Sequence, residues 1–418
     1  MIPLIFHIDF DSFFASCEQQ WNPLFRNKPL GVTAANGRTA IIAASREAKA
    51  RGVKSPSRTF EAEQICPDIL LTTSHFDKYW EISKQFLTIC TDYSPFVEIF
   101  SLDEVFIDMT KTAHLFGGSE QVIKAIKKRI KKEIGEYITV SIGISYNKLL
   151  AKLASGLKKP NGVVEITRDN FDSLYTQAKL TDICGIGSRI KDRLLTIGVI
   201  TLLDLQTIPL YLLKQEFGTV EAEFLKQVGL GLDTTPVIPY TNAPEVKSVG
   251  RNYCLPGNEY KESVVLQNLF ELCEEVGIKL RRLGKKAKTI GFSLRGSVDI
   301  HGRKTYSYYC NLGKDIFSTA LNCIRTDPRY TTSLLASTDY IRQISVWVSN
   351  LEDAQCIPSN FLFDSEKKLK LTRAIDSLNE RFGDHTIRNG FLLYADKLTT
   401  VPNGFMADRY ERTKLASL

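Results

Sequence analysis

The stretch Val97–Thr110, VEIFSLDEVFIDMT, constrains this chain more than any other. Apolar and polar residues alternate along it as in a strand with one buried face. The rhythm breaks at Asp103-Glu104, because neighbours on a regular strand point to opposite faces. For both carboxylates to serve one site, the chain must turn or bulge between Ser101 and Glu104. Apolar residues on both sides (Ile99, Phe100, Leu102, Val105, Phe106, Ile107) would hold that turn rigidly at a strand end. Crowded carboxylates repel, and a divalent cation is the usual remedy.

A second acidic strand end lies upstream. Leu4 to Asp9 is predicted as a short apolar strand and Asp11 to Gln20 as a helix. Asp9 has no local structural task, and an unpaired carboxylate ending an apolar strand is costly. It therefore supplies the opposite wall of the cation site. Asp11 is expected to cap the helix or to support the site from behind. Phe13 and Phe14, at the strand-to-helix turn, belong to the core or line a substrate pocket beside Asp9.

The 418 residues allow about three or four domains. No apolar run approaches the roughly 20 residues of a membrane span. The N-terminal MIPLIFHIDFDSFF has no basic region and carries two aspartates, so a core strand explains it better than a signal peptide. Nine cysteines without CxxC spacing show no zinc signature and point to a reducing, cytoplasmic setting.

Two short strands, Pro29–Val32 and Thr39–Ala44, are expected to join through Asn36-Gly37. The helix Ser45–Arg51 follows, ended by Gly52. Arg46 and Lys49 share a face of it, either as solvated charge or as a clamp on a polyphosphate. Phe76–Cys90 is a helix. Gln121–Tyr137 is a basic amphipathic helix with a solvated outer face. Tyr137–Ile144 is a third apolar strand, after which Asn147 caps a helix carrying Lys148 and Lys152 at i and i+4. The turn GLKKPNG brings Lys158 and Lys159, which beside a metal site could bind phosphate as point charges. Carboxylates on neighbouring strand ends suggest a split α+β layer, residues 1–10 and 75–165, with an insert at 11–74.

Beyond Ile166 the texture becomes short helices. Gly185-Ile186-Gly187 sits between two of them, with Arg189 and Lys191 just after, an arrangement that holds a phosphate without reading a base. A looser echo runs from Gly218 to Gly231. Residues 166–233 form this helical unit and 234–246 a Pro- and Thr-rich linker. Residues 247–351 have the pattern of a βαββαβ sheet. Six of the ten residues Lys279–Lys288 are basic, and Lys247, Arg251, Arg295, Arg303 and Lys304 add to them. Clustered against a sheet, such charge suits a nucleic-acid backbone. Residues 352–418 are a partly polar tail with a helix near Lys367–Phe382.

Two acidic strand ends, a supply of lysines, a phosphate-binding hairpin and a basic sheet unit occur together in two-metal phosphoryl transfer. FHIDFDSFFAS, SREAKARGVK, FSLDEVFID, VSIGISYNKLLAKLASGLKKPNG and GIG resemble, in order and spacing, the Y-family translesion DNA polymerases. The resemblance runs from the N-terminus to about Leu351. The tail, LFD followed by AIDSLNERFG, is similar to UmuC-type bacterial members, as is Lys49 in the fingers.

The resemblance implies a right-hand polymerase: palm (1–10 and 75–165), small fingers (11–74), helix-hairpin-helix thumb (166–233), linker (234–246), little finger (247–351) and tail (352–418). It implies error-prone translesion synthesis on primer–template DNA from deoxynucleoside triphosphates, within an SOS response to DNA damage. It implies two Mg²⁺ ions on Asp9, Asp103 and Glu104, with the Phe10 carbonyl assisting. Asp103 would bridge both ions, Glu104 would favour the one at the primer terminus, and Asp108 would be structural. Phe14 matches a steric gate against the 2′-hydroxyl, beside Phe13, and Lys159 a triphosphate-binding lysine. Arg46 stands where many members have tyrosine. Gly185, Gly187, Arg189, Lys247, Arg251, Lys285, Lys286, Arg295 and Arg303 would meet DNA. A sliding clamp would dock on Ser359–Phe363, with Ser359 in place of the usual glutamine, and UmuD-like and RecA-like partners follow from the same branch. A catalytically inactive mutasome adaptor would lack the carboxylates, all three of which are present. A nucleotide cyclase on a related palm would have a Gly-Gly turn before the acids and no hairpin thumb.

Overall fold

The computed structural model describes residues 2–34, 40–242, 245–328, 339–356, 365–383 and 386–393. The chain divides between residues 243 and 244 into two compact units.

The first unit opens with β1 (Ile5–Phe10) and α1 (Phe13–Trp21). A small layer follows: β2 (Leu30–Thr33), β3 (Ala40–Ala44), α2 (Arg46–Ala50), β4 (Ser57–Arg58), α3 (Thr59–Ile65) and β5 (Leu70–Thr73). Ile41, Ala48, Val53, Ala62 and Cys66 form its core. The expected turn Asn36-Gly37 lies outside the described residues. Then come α4 (Phe76–Thr91), β6 (Val97–Ile99), β7 (Glu104–Asp108), α5 (Ser119–Arg129), β8 (Val140–Ser145), α6 (Lys148–Leu157) and β9 (Val163–Glu165). Five of these strands form one sheet in the order β6-β7-β1-β8-β9, with β1 antiparallel to β7 and to β8.

The two faces of that sheet differ sharply. Phe6, Ile8, Phe10, Val105, Ile107, Val140, Ile142 and Ile144 form a buried apolar face, on which Phe10 meets Phe86 of α4 at 4.4 Å between ring centroids. The other face carries His7, Asp9, Glu104 and Ser141, and α6 lies across it. Gly143 makes that approach possible: a Cβ there would stand 2.0 Å from the Ala151 carbonyl oxygen and 2.3 Å from the Ser155 nitrogen.

Several expectations need revision. Asp11 is not the cap of α1. Ser12 holds that position in a left-handed conformation (φ 51°) without a side-chain capping bond. The basic helix is shorter than expected, ending as a π-helical turn at Ile130–Ile134, and the third strand starts at Val140. Its basic side is not wholly solvated either, since Lys127 turns inward and donates to the carbonyls of Asn161 (2.7 Å) and Gly162 (3.2 Å).

The helices α7 (Phe171–Gln177), α8 (Ser188–Thr196), α9 (Asp204–Thr207), α10 (Leu210–Phe217) and α11 (Thr219–Gly229) surround a core that includes Tyr175, Ile186, Leu194, Leu202 and Leu225. The Gly185 hairpin is preceded by a 3-10 turn at Leu180–Asp182 rather than by a full helix. The expected linker is not free over its whole length. Val237 packs with Ile5, Phe106 and Ala151, and the Ile238 N–H donates to Glu98 at 2.8 Å.

The second unit is built in the expected βαββαβ order: β10 (Ser248–Glu259), α12 (Glu262–Arg282), β11 (Lys285–Gly296), β12 (Ile300–Cys310), α13 (Gly313–Arg325) and β13 (Ile341–Asp353), then α14 (Ser365–Phe382). Its sheet runs β10-β13-β11-β12, all antiparallel. Val249, Leu269, Val276, Ile290, Phe292, Ile344 and Val346 make up part of the core between sheet and helices. The tail helix α14 is bound into this unit, because Asp376 accepts two parallel bonds from Arg281 (2.6 and 2.8 Å).

Candidate active site

The carboxylates meet where β1 and β7 end. Asp9 is the direct cross-strand partner of Glu104, so their side chains share a face. Asp103 lies in the turn before β7. There the Phe100 and Ser101 N–H groups donate to the Glu104 carbonyl (3.1 and 3.2 Å), the turn that the break in alternation required. The Phe10 N–H donates to the Asp103 carbonyl at 2.9 Å, tying the turn to the end of β1. The Ser101 hydroxyl donates to Asp103 Oδ1, and the Ser83 hydroxyl holds the Leu102 carbonyl.

Basic groups close on these acids. Lys159 contacts Asp9, and Lys152 contacts Glu104 Oε2. His7, which the sequence pattern does not single out, places Nε2 3.0 Å from Glu104 Oε2 and Nδ1 2.7 Å from Ser155 Oγ. Burial pushes the Asp9 carboxyl up to about 6, opposed by Lys159 and reinforced by Asp103 and Glu104. Burial also raises Asp103. Burial would raise Glu104 too, but the hydrogen bond from His7 and the charge of Lys152 outweigh it and bring that carboxyl to about 2. The site thus holds one strongly ionised acid and two whose ionisation is resisted.

Asp11 supports this arrangement from behind. Its buried carboxylate accepts from the Thr139 and Ser141 hydroxyls and from the Asn161 N–H, each at 2.7 Å. The last bond anchors the turn that carries Lys159. Asp108 is engaged locally, accepting from the Thr110 N–H at 2.9 Å.

The nucleotide-side candidates cluster at the start of α1. Phe13 is buried and stacks on Phe10 (4.8 Å, 12°). Phe14 is half-buried and stacks on Tyr79 of α4 (4.5 Å, 14°), with Phe76 edge-on at 5.6 Å. Tyr79, unflagged by the sequence, is fixed in turn: its hydroxyl donates to the buried Glu18 at 2.5 Å. Lys49 donates to the Ser12 hydroxyl at 2.9 Å, beside the same turn. Partial burial and the nearby Lys159 lower its pKa. Arg46 instead reaches the Tyr137 carbonyl at 3.2 Å, bracing the small layer against the large sheet.

Gly185 has φ +106°, and a Cβ there would stand 2.9 Å from Phe224. Gly187 caps α8, and Arg189 in its first turn is exposed. In the second unit the candidates separate by face. Register aligns Gly250, Trp347, Gly291 and Arg303 across the open side of the sheet, followed by Asn252, Ser345, Ser293 and His301. Arg295 continues that face beside Gln343. The Trp347 indole lies over Gly291, where a Cβ would come within 2.3 Å of the ring. Trp347 was missed, although its alternation within Ile341–Ser349 sets it apart from the core positions. Arg251 points the other way and pairs with Glu275 at 2.8 Å. The basic run 279–288 is largely engaged within the unit: Arg281 and Arg282 pair with Asp376 and Glu380, and Lys285 pairs with Glu245 and Asp353. Lys247 is exposed and Lys286 half-buried. Ser359–Phe363 lies outside the described residues.

A family model described as the impB/mucB/samB family matches residues 8–156, and the model of that family's C-terminal domain matches residues 246–359. A DNA polymerase IV of Pelotomaculum thermopropionicum is 30% identical over 406 residues, covering 96% of each chain. One from Moorella thermoacetica is 32% identical, covering 92% of this chain and 95% of the relative. DNA polymerase IV 2 of Bacillus subtilis is 31% identical, with 92% and 93% covered. Among solved structures, a Y-family DNA polymerase chimera matches with a TM-score of 0.70 at 26% identity, over 83% of this chain and 98% of the chimera. These sequence relatives are polymerases IV, so a polymerase IV-like description fits more closely than the UmuC-like branch.

Proposed function

The chain belongs to the impB/mucB/samB family and is a Y-family DNA-directed DNA polymerase, and on that premise we propose that Asp9, Asp103 and Glu104 are its catalytic carboxylates in translesion synthesis. The observation that carries this assignment is the cross-strand pairing of Asp9 with Glu104, with Asp103 held in the adjoining turn.

The donor set suits hard divalent cations such as Mg²⁺, which take oxygen ligands. The raised Asp9 carboxyl is what a site short of positive charge displays. Asp9, Asp103 and Glu104, with the Phe10 carbonyl, would hold two such ions. Bound there, they supply charge that favours the deprotonated primer hydroxyl and the departing pyrophosphate.

The rest of the work falls to the chain's own residues. Lys152 rests on Glu104, Lys159 on Asp9 and Lys49 on the Ser12 hydroxyl, which leaves the three carboxylates only partly offset. Lys49 and Lys159 exchange these contacts for triphosphate oxygens when a nucleotide enters, as point charges on flexible stems can. Arg46 acts indirectly by fixing α2 to the Tyr137 carbonyl. Phe13 backs Phe14, whose ring, stacked on Tyr79, would act as the gate against a 2′-hydroxyl. Gly185, Gly187 and Arg189 meet a DNA phosphate. Arg295 and Arg303, with Trp347 between glycines, form the DNA-facing side of the second unit. Arg251 and Lys285 serve as internal ion-pair partners. The polymerase is error-prone because its fingers layer is small, so that selection leans on base pairing. UmuD-like and RecA-like partners rest on the UmuC-like resemblance alone.

Primer extension on undamaged and abasic templates tests the assignment. Wild type should extend both, and Asp103→Ala should lose at least about a thousandfold in rate, the scale of a removed electrostatic catalyst. A variant that extends like wild type would remove Asp103 from the catalytic set.

A further inference from the structure

We propose that His7 and Ser155 are positioning residues that fix Glu104 through a directed hydrogen-bond chain, leaving Glu104 Oε1 for a divalent cation. The inference rests on the polymerase reading and deepens it at the same site.

Hydrogen accounting supplies the argument. His7 is buried, with no exposed surface. Its two ring nitrogens have separate partners, Ser155 Oγ at 2.7 Å and Glu104 Oε2 at 3.0 Å. An ionised carboxylate can only accept. The bond to Glu104 therefore requires a hydrogen on Nε2. Ser155 satisfies Nδ1 in either charge state of the ring. If the ring is neutral, the Ser155 hydroxyl donates to the bare Nδ1. If it is cationic, Nδ1–H donates to Ser155, and the hydroxyl turns to the Lys152 carbonyl 2.8 Å away. The donor to Glu104 is the same in both cases, so the assignment does not depend on titration.

The ring has little freedom to do otherwise. It packs against Phe106 at 4.6 Å, and its neighbour on β8 is Gly143, which admits α6 and thereby Ser155. His7 Nε2 and Lys152 Nζ both engage Oε2. Among the described residues no hydrogen bond falls on Oε1. His7, Asp9 and Glu104 do offer atoms all within 4.8 Å of one another. Both nitrogens of His7 are committed, however, and the hard cation prefers oxygen. His7 is thus a neighbour of the ion site that orients a ligand, the arrangement by which outer partners tune metal affinity.

The test uses the full chain and Mn²⁺ as the probe, read by electron paramagnetic resonance titration and by electron spin echo envelope modulation. His7→Phe keeps an aromatic ring but no donor, and should weaken Mn²⁺ binding by about 10-fold or more. His7→Gln restores an N–H at the Nε2 position and should bind within about threefold of wild type. Ser155→Ala should fall between them. No nitrogen-14 coupling from a histidine should appear on bound Mn²⁺ in wild type. If His7→Phe proves unfolded by near-ultraviolet circular dichroism, Ser155→Ala and His7→Gln carry the comparison. Undiminished affinity in a folded His7→Phe, equal losses in His7→Gln and His7→Phe, or a directly coupled histidine nitrogen would each overturn the positioning role. Wild type that neither binds Mn²⁺ nor extends a primer would instead sink the polymerase reading itself.

Discussion

Asp9→Asn should stabilise the metal-free protein while abolishing its activity. The Asp9 side chain is 17% exposed, and burial with Asp103 and Glu104 nearby moves its carboxyl from an ordinary 3.8 to about 6. That shift corresponds to about 3 kcal/mol of destabilisation once the group is ionised at pH 7. Asparagine keeps the shape and an acceptor oxygen and removes the charge. The attraction of Lys159 is already contained in that shift, which is what burial and the neighbouring carboxylates leave after Lys159 has opposed them. The net gain is about 3 kcal/mol, or roughly 6–12 °C in the melting temperature of a unit this size. The sign follows from proton binding. Between about pH 4 and 6 the folded chain retains a proton that the unfolded chain has lost, so wild-type stability falls as pH rises through that window. The advantage of Asp9→Asn should therefore be full at pH 7 and vanish near pH 4. Glu104 behaves oppositely. Its depressed value, about 2, contributes stability above its ordinary range that is lost as pH falls toward 2, so Glu104→Gln should melt lower than wild type at pH 7. Thermal melts in chelator at pH 4 and 7, repeated with saturating Mg²⁺, read all of this. Mg²⁺ should raise wild type and leave Asp9→Asn unmoved. If Asp9→Asn melts at or below wild type at pH 7, burial of an uncompensated charge is not what the site contains.

Phe14→Ala should raise ribonucleotide incorporation by at least about tenfold, because the excluded volume is that of one ring; unchanged sugar discrimination in single-turnover assays would remove Phe14 from the gate. Arg295→Ala with Arg303→Ala should flatten the log–log salt dependence of DNA binding by about 2 if each meets one phosphate. Lys285→Ala, tied to Glu245 and Asp353, should leave that slope unchanged, and the reverse pattern would return the DNA face to the basic run. Glu98 accepts from Lys148 (2.7 and 2.8 Å) and from the Ile238 N–H, so Glu98→Ala should cost about 2 kcal/mol and speed proteolysis between residues 234 and 246 severalfold. Gly143→Ala should lower stability by about 2–3 kcal/mol and weaken Mn²⁺ binding with it; a silent substitution would contradict the close seating of α6.

The sequence exposed those features whose signal is local. The alternation around Asp103, the apolar strand ending at Asp9 and the Asn147 cap of α6 each need only neighbouring residues, and each recurs in the structure. What escaped was set by partners far along the chain. For Asp11 the sequence left a cap and a support from behind both open, and the choice falls to hydrogen-bond partners 128 to 150 residues away. The basic run at 279–288 has partners that its spacing does not reveal, since α14 brings Asp376 and Glu380 to Arg281 and Arg282. His7 sits in an apolar strand with nothing in its spacing to mark it. One available signal was Gly143 inside the strand VSIGIS, since a glycine there often means that another backbone comes close.

Helix α6 shows how few residues organise the site. Lys148, Lys152 and Ser155 are spaced four and three apart, so they line one face of the helix, and Lys159 follows four residues later, just past its end. Each reaches a different part of the acidic face: Lys148 the Glu98 carboxylate on β6, Lys152 Glu104, Ser155 His7, and Lys159 Asp9. The sequence displays the Lys148–Lys152 spacing, which alone reads as surface charge. It becomes part of the site only because Gly143 lets the helix backbone rest on β8. A helix seated farther out would have to span the added distance with each side chain separately. The acids and the residues that orient or neutralise them therefore depend on one point of close contact, far in sequence from both acidic strand ends.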